Sequence, residues 1–182
     1  MTVLEPTPSQ TIGPFYGYAL PFAGGGEIAP FGHPDTITVH GCVYDGAGAP
    51  IPDALLEFWH GGPGAPGSLR HDPVSGKVIG RHGVHFTGFG RVPTDADGHY
   101  AIRTLPAPYL SVCFFARGLL HHLFTRIYFS AQDAFLETLE PARRATLIAT
   151  PERDRVYRFD IHLQGGADHD ETVFLEFPSS AT

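Results

Sequence analysis

Short runs of β-branched and aromatic residues, separated by turn residues, recur along most of this 182-residue chain. Between residues 36 and 44, Ile37, Val39 and Val43 alternate with other positions, a period of two that places one face of a strand in a core. Further runs of this kind cover 55–59, 84–92, 100–105, 109–116, 119–129, 157–163 and 172–177. Many short strands separated by turn signals predict an all-β sandwich or barrel.

Helices are predicted to contribute little to the fold. One stretch, 131–139, favours a helix with Ser130 as its N-cap, and a further turn is expected after Pro141. The runs 109–116 and 119–129 are longer and more continuously apolar than the other runs, which suits strands buried on both faces.

The first 35 residues have a different composition from the rest of the chain. They contain six prolines and three consecutive glycines, a density that disfavours regular ladders, but too many aromatic residues for a flexible tail. We therefore predict an extended N-terminal strap over 1–35, a single β-sandwich domain over 36–177 and a polar tail over 178–182. The strap is expected to cover either its own sandwich or a partner chain.

Charge and cysteine content narrow the function classes. Twelve basic residues against 19 acidic residues give a net charge of −7, and no cluster of four basic residues occurs, so a nucleic-acid partner is not expected. The sequence has no stretch of 18 apolar residues and no signal-peptide pattern, which predicts a cytoplasmic protein without membrane contact. Cys42 and Cys113 lie in apolar runs and are predicted to be buried thiols.

The 11 histidines raise the question of a metal site, but their spacing argues against one. His-x-His does not occur, and the adjacent His121 and His122 would point to opposite faces of a strand. A site assembled from the scattered His60, His71 and His85 remains an alternative. The nucleophile elbow, the phosphate-binding loop and the Cys-x-x-Cys motif are all absent.

Arg117 is the residue whose local context is most unusual. It follows the apolar run 110–116 and precedes Gly118, and a guanidinium at the end of a buried strand requires a partner. That partner is either a carboxylate of the same chain or the carboxylate of a substrate. Spacing alone leaves both open.

Several motifs together carry a family resemblance. Residues 7–15 (TPSQTIGPF) resemble the start of the intradiol ring-cleaving dioxygenases. Similar segments follow in the same order at 43–46, 56–59, 94–100, 115–118, 125–129, 146–149, 157–161 and 171–174. The similarity extends from residue 7 to residue 177 and is strongest to one branch, the alpha chains of the enzymes that cleave 3,4-dihydroxybenzoate (protocatechuate).

This resemblance implies a β-sandwich in which two Tyr and two His hold Fe(III) and O2 opens a catechol ring between its hydroxyls. Here residues 67–70 contain no Tyr, 105–108 leave little room for a second one, and 109–111 replace the two histidines and retain only Tyr109. The resemblance therefore implies no metal ligand and no catalytic residue on this chain. It implies instead that the chain completes the substrate pocket of an iron-binding beta subunit in a higher-order alpha–beta hetero-oligomer.

By the same resemblance, the reaction is cleavage of 3,4-dihydroxybenzoate to 3-carboxy-cis,cis-muconate in aromatic catabolism, in the beta-ketoadipate pathway. Gly13, Pro14 and Arg117 match positions that border the substrate cavity, and Phe15 and Tyr16 are expected to line it. Gly13, which has no Cβ, suits a close backbone approach. Two alternatives are a noncatalytic β-sandwich binding or transport protein and a self-sufficient metal-dependent dioxygenase.

Overall fold

The structure is a computed structural model that describes residues 13, 15–60, 69–81 and 84–176. Its strands are β1 (Ile37–Tyr44), β2 (Leu55–His60), β3 (Leu69–His71), β4 (Val78–Arg81), β5 (Phe89–Pro93), β6 (His99–Thr104), β7 (Tyr109–Phe115), β8 (Leu123–Tyr128), β9 (Thr150–Arg153), β10 (Val156–Arg158) and β11 (Ile161–His162). Its short helices are α1 (Tyr16–Ala19), α2 (Ala134–Glu137) and α3 (Pro141–Ala145).

Two sheets form the body of the molecule. In the five-stranded sheet, β1 pairs antiparallel with β6 and parallel with β10 and β11, and β9 pairs with β10. The four-stranded sheet is antiparallel in the order β5-β2-β7-β8. The strands β3 and β4 form a separate two-stranded sheet.

The core lies between the two sheets. Along β1, buried and half-buried positions alternate strictly, with Val39 and Val43 fully buried. Phe58 of β2 and Tyr100 of β6 meet in the core with ring centroids 5.6 Å apart. The prediction of an all-β sandwich is thus confirmed, because side chains from both sheets form one hydrophobic cluster.

The predicted helix at 131–139 is wrong in its bounds. The helix α2 covers only Ala134–Glu137, and its N-cap is Asp133, whose side chain accepts the N–H of Phe135 at 2.9 Å. Ser130 accepts the N–H of Gln132 in the turn before it. A carboxylate beside the first free N–H groups is the better cap, and it shifts the helix start. The predicted turn after Pro141 is present as α3.

Four of the predicted strands are shorter than the runs that predicted them. Residues 84–88 and 119–122 are turns and loops before β5 and β8, so His121 and His122 precede a strand instead of lying on it. Residues 157–163 divide between β10 and β11. The run 172–177 forms, within the described residues, a single bridge between Leu175 and Phe124.

Part of the strap packs on its own sandwich. Gly25 accepts the N–H of Arg91 from β5 at 2.9 Å, and Gly26 accepts the N–H of Arg103 from β6 at 2.7 Å. A Cβ at Gly25 would lie only 2.1 Å from the Arg91 carbonyl oxygen, so the strap passes between the two sheet edges because glycine stands there. Ile28 then enters the core and is fully buried.

The rest of the described strap contains a helix that its composition did not predict. The helix α1 is a single turn between Pro14 and Pro21. It can form between these prolines because one turn requires only its own three backbone hydrogen bonds. Phe15, Tyr18 and Phe31 remain exposed in this region. Among the described residues, no helix is long and apolar enough to span a bilayer.

Candidate functional site

A cavity of about 660 Å³ opens where the strap meets the turn before β2 and the turn after β7. Its lining includes Phe15, Tyr16 and Tyr18 from the strap, Asp53 from the first turn, Thr94 directly after β5 and Arg117 from the second turn. The fold therefore brings together three of the five residues predicted for the site, although about 100 residues separate Tyr16 from Arg117 in sequence. The cavity carries one guanidinium, one carboxylate and three aromatic rings among these side chains.

Tyr16 joins the strap to the turn before β2. Its ring is buried, and its hydroxyl donates a hydrogen bond to the backbone carbonyl of Asp53. Burial raises the pKa of Tyr16, and the negative charge of Asp53 raises it further. Tyr16 is therefore a neutral donor at neutral pH, and it fixes α1 against the sandwich.

Arg117 lies two residues beyond the end of β7, in a turn that Gly118 permits by adopting φ 87°. Its Nε donates to Oδ2 of Asp53. The side chain is 69% exposed, because the turn carries it out of the sheet and into the cavity. The partner within the chain, one of the two alternatives for Arg117, is present.

Gly13 and Pro14 stand apart from this arrangement. The carbonyl of Gly13 accepts the N–H of Tyr16 at 3.3 Å, and Gly13 itself is exposed. A Cβ at Gly13 would meet no atom within 4 Å, so the close approach predicted for this glycine is not made inside the described chain. Pro14 lies outside the described residues. The site roles of Gly13 and Pro14 stay predictions.

Asp53 and Thr94 are site residues that sequence reasoning missed. Asp53 pairs with Arg117 across 64 positions of sequence, and no local pattern announces such a contact. Thr94 is buried beneath the turn and hydrogen-bonds its backbone. The usable signal was the Pro52–Asp53 turn directly before a predicted strand, because turn residues beside sheet ends often reach a site.

Two of the three histidines considered as a scattered metal site, His60 and His71, hydrogen-bond backbone carbonyl groups. His60 Nε2 donates to the Leu105 carbonyl at 3.1 Å, and His71 Nδ1 donates to the Gly76 carbonyl at 3.0 Å. Within 13, 15–60, 69–81 and 84–176, no group of three or more His, Cys, Asp or Glu side chains is arranged to hold a metal ion.

The position at which the family resemblance places iron ligands is occupied by a cation–aromatic cluster. The Arg126 guanidinium lies 4.4 Å from the ring centroid of Tyr109 and 5.6 Å from that of Phe135. Its Nη1 donates to the hydroxyl of Tyr128 at 3.1 Å. A fixed positive charge beside both phenols opposes binding of Fe(III), and Ser111 supplies no imidazole. The described residues around Tyr109 do not fit a ferric site.

Comparison with known proteins adds to this geometry. A family model described as "Dioxygenase" (Dioxygenase_C) matches residues 26–113. The chain is 37% identical to the protocatechuate 3,4-dioxygenase alpha chain of Burkholderia cepacia, with 97% of this chain and 100% of the relative covered. It is 33% identical to the alpha chain of the same name from Pseudomonas putida, with 96% and 98% covered.

A solved structure shows the same fold at lower identity. The dioxygenase domain of a dioxygenase carbohydrate-binding protein fusion from Streptomyces sp. SirexAA-E aligns with a TM-score of 0.53 and 23% identity, covering 93% of this chain and 100% of that one. The sandwich described above is therefore the fold of a known dioxygenase domain.

Proposed function

The chain belongs to the intradiol ring-cleavage dioxygenases, among the alpha chains of protocatechuate 3,4-dioxygenase, and from this premise we propose that it is the alpha subunit of such an enzyme. The proposed reaction is addition of O2 to 3,4-dihydroxybenzoate, with cleavage of the ring between the two hydroxyl-bearing carbons to give 3-carboxy-cis,cis-muconate. Both oxygen atoms enter the product.

The proposed division of labour assigns the metal to a beta subunit. Fe(III), which the family uses, would be held by that partner and would bind the catechol oxygens so that the ring reacts with O2. This assignment is supported by the Arg126 cluster at Tyr109, which does not fit a ferric ion. The role of this chain is then to bind and orient substrate.

The observation that carries the proposal is Arg117 in the cavity beside the strap. An exposed guanidinium flanked by the aromatic residues Phe15 and Tyr16 is suited to an aromatic carboxylate, because it stays charged and presents several donors. Phe15 and Tyr18 are exposed at the rim, which suits contact with a second chain that closes the cavity. We include Gly13 and Pro14 in that rim.

The proposal is tested by Arg117→Leu in the assembled alpha–beta enzyme. In the assembled enzyme, where the second chain closes the cavity, the pair between Arg117 and the substrate carboxylate is desolvated. Loss of one member of such a pair costs about 2 to 5 kcal/mol, which corresponds to a loss of about 30-fold or more in kcat/KM for 3,4-dihydroxybenzoate. Arg153→Leu, at an exposed arginine of β9, is the matched control and should leave kcat/KM unchanged. An Arg117→Leu enzyme within about threefold of wild type would make Arg117 a purely structural residue.

Iron content and subunit stoichiometry are measured first in each variant, so that misassembly is separated from a substrate effect. The wild-type complex should contain iron only when the beta chain is present. Stoichiometric iron in this chain purified alone would contradict the subunit assignment and favour a self-sufficient metalloenzyme. Failure to associate with any iron-containing chain would favour a noncatalytic binding protein.

A further inference from the structure

Several hydrogen bonds hold the turn that carries Asp53. Thr94 is buried, its Oγ1 donates to the Ile51 carbonyl at 2.7 Å, and the same Oγ1 accepts the N–H of Ala54 at 3.0 Å. The backbone N–H of Thr94 donates to the Ala54 carbonyl at 2.9 Å. Since Tyr16 binds the carbonyl of Asp53 from the other side, hydrogen bonds fix the turn on both sides of this residue.

The contact between Asp53 and Arg117 uses only one edge of the guanidinium. The carboxylate accepts from Nε, and the terminal nitrogens of Arg117 make no hydrogen bond to the described part of the chain. Arg117 is 69% exposed, whereas the Asp53 side chain is only 32% exposed. A guanidinium held by its Nε retains its outer pair of N–H groups for a second, bidentate partner.

From this geometry we infer that Asp53 is a positioning residue that aims the free edge of Arg117 at the substrate carboxylate and so selects catechols that carry one. The inference rests on the proposed function of the cavity. The physical reason is entropic: a long side chain in a surface turn loses rotamer freedom when it binds a ligand, and a fixed carboxylate removes that freedom beforehand. The rigid turn at Thr94 and Tyr16 makes Asp53 a fixed point.

A second role for the same carboxylate makes the opposite prediction. If Asp53 merely occupied Arg117 in competition with substrate, its removal would free the guanidinium and tighten substrate binding. Positioning predicts weaker binding. The sign of the change therefore decides between the two.

The experiment is Asp53→Ala in the assembled enzyme, with 3,4-dihydroxybenzoate and unsubstituted catechol as paired ligands. Binding is measured anaerobically and KM and kcat aerobically. We expect the Kd and KM for 3,4-dihydroxybenzoate to rise about threefold to tenfold, the effect of having to immobilise one long side chain. Those for catechol, which has no carboxylate, should stay within about twofold, well under one tenfold step.

Two conservative variants grade the effect. Asp53→Asn keeps an oxygen acceptor for Nε but loses the charge, so it should fall between wild type and Asp53→Ala. Asp53→Glu keeps the charge and should restore part of the affinity for 3,4-dihydroxybenzoate. Asp154→Ala, which removes a carboxylate that is 95% exposed in the β9–β10 turn, is the matched control. If Asp53→Ala does not assemble, Asp53→Asn and Asp53→Glu carry the same comparison.

The double variant Asp53→Ala/Arg117→Leu separates this inference from the proposed function. Action through Arg117 predicts that the double variant binds 3,4-dihydroxybenzoate no more weakly than Arg117→Leu alone. If Arg117→Leu itself has no effect, the proposed function fails. If Arg117→Leu weakens binding while Asp53→Ala leaves it unchanged, tightens it, or weakens both ligands equally, only the positioning role is overturned.

Discussion

The ion pairs Arg91–Glu57 and Arg117–Asp53 each join an arginine to a carboxylate in two regions of the molecule. They differ in how far they are buried and in whether a sheet or a turn carries them. The first pair lies across neighbouring strands, β5 and β2, beneath the strap. The second joins two turns at the mouth of a cavity.

Arg91 and Glu57 are only 18% and 14% exposed. The guanidinium contacts Oε1 of Glu57 through Nε at 2.7 Å and through Nη2 at 2.5 Å, and its Nη1 donates to the Leu20 carbonyl of the strap at 3.1 Å. All three nitrogens are used. On the other side of Glu57, burial raises the pKa of Cys113 to about 12, with a further contribution from the Glu57 charge.

The comparison shows what distinguishes an ion pair that holds the fold together from one whose arginine can still bind a ligand. The donor nitrogens of Arg91 all bond β2 or the strap, so this arginine holds the N-terminal segment against the four-stranded sheet. Within the described residues, Arg117 bonds Asp53 through Nε alone, and its charged group lies at the surface. The difference is set by whether the backbone places the arginine within a sheet or in a turn beyond one.

The largest predicted effect is the difference in unfolding free energy between Arg91→Leu and Arg117→Leu. Arg91→Leu leaves Glu57 enclosed without its counter-charge and should lower the free energy of unfolding by about 3 kcal/mol. Arg117→Leu should lower it by under about 1 kcal/mol, because an exposed pair contributes little. Urea unfolding of both variants measures the contrast, and equal losses would refute it. Arg91→Leu/Glu57→Leu should recover part of the stability, because no charge is then left unpaired.

An intermediate effect is expected at Thr94. Thr94→Val removes the hydroxyl that bonds the Ile51 carbonyl and the buried Ala54 N–H, and leaves both groups without this partner, at a cost of about 1 to 3 kcal/mol in unfolding free energy. Thr94→Ser retains the hydroxyl and serves as the control. Because the turn carries Asp53, Thr94→Val should also weaken binding of 3,4-dihydroxybenzoate, whereas Arg91→Leu should not weaken it in enzyme that remains assembled. A stable Thr94→Val with unaltered substrate affinity would contradict the importance of this turn.

The smallest effect should appear at Tyr16 and depend on pH. Tyr16→Phe loses the hydrogen bond to the Asp53 carbonyl, about 1 kcal/mol at neutral pH. The pKa of Tyr16 is raised in the folded state, by burial and then by Asp53, so its contribution is complete below about pH 10 and decreases as pH rises through the folded pKa. Unfolding free energies of wild type and Tyr16→Phe should therefore converge above pH 10. A constant difference up to pH 11 would be inconsistent with this linkage.

Much of the sandwich follows from local pattern. The alternation of Ile37, Val39 and Val43 predicted β1, and each of these side chains is buried. Patterns failed where a local interaction decided a boundary. Asp133 replaced Ser130 as a helix cap, and residues 119–122 form a turn and loop at the surface because Gly118 changes the chain direction first.

The candidate site was predicted only in part. Arg117 and the strap residues Phe15 and Tyr16 were found through a family resemblance, and the fold places them around one cavity. Asp53 and Thr94 were not found, because their importance arises from contacts with residues about 40 to 64 positions away. The burial of β7 does not extend to the Arg117 side chain, since the strand ends two residues before Arg117 and the turn leaves the guanidinium exposed.

The sequence by itself determined the class of fold, because the period of two along the strands and the turn residues between them are properties of neighbouring positions. It also placed glycine at positions 25 and 26, where the strap passes between β5 and β6. Only the tertiary structure decided that Arg91 is enclosed and that Arg117 is exposed. Charge pairing depends on distance and burial, and both are set by the packing of segments that the sequence keeps far apart: Leu20 with Arg91, and Asp53 with Arg117.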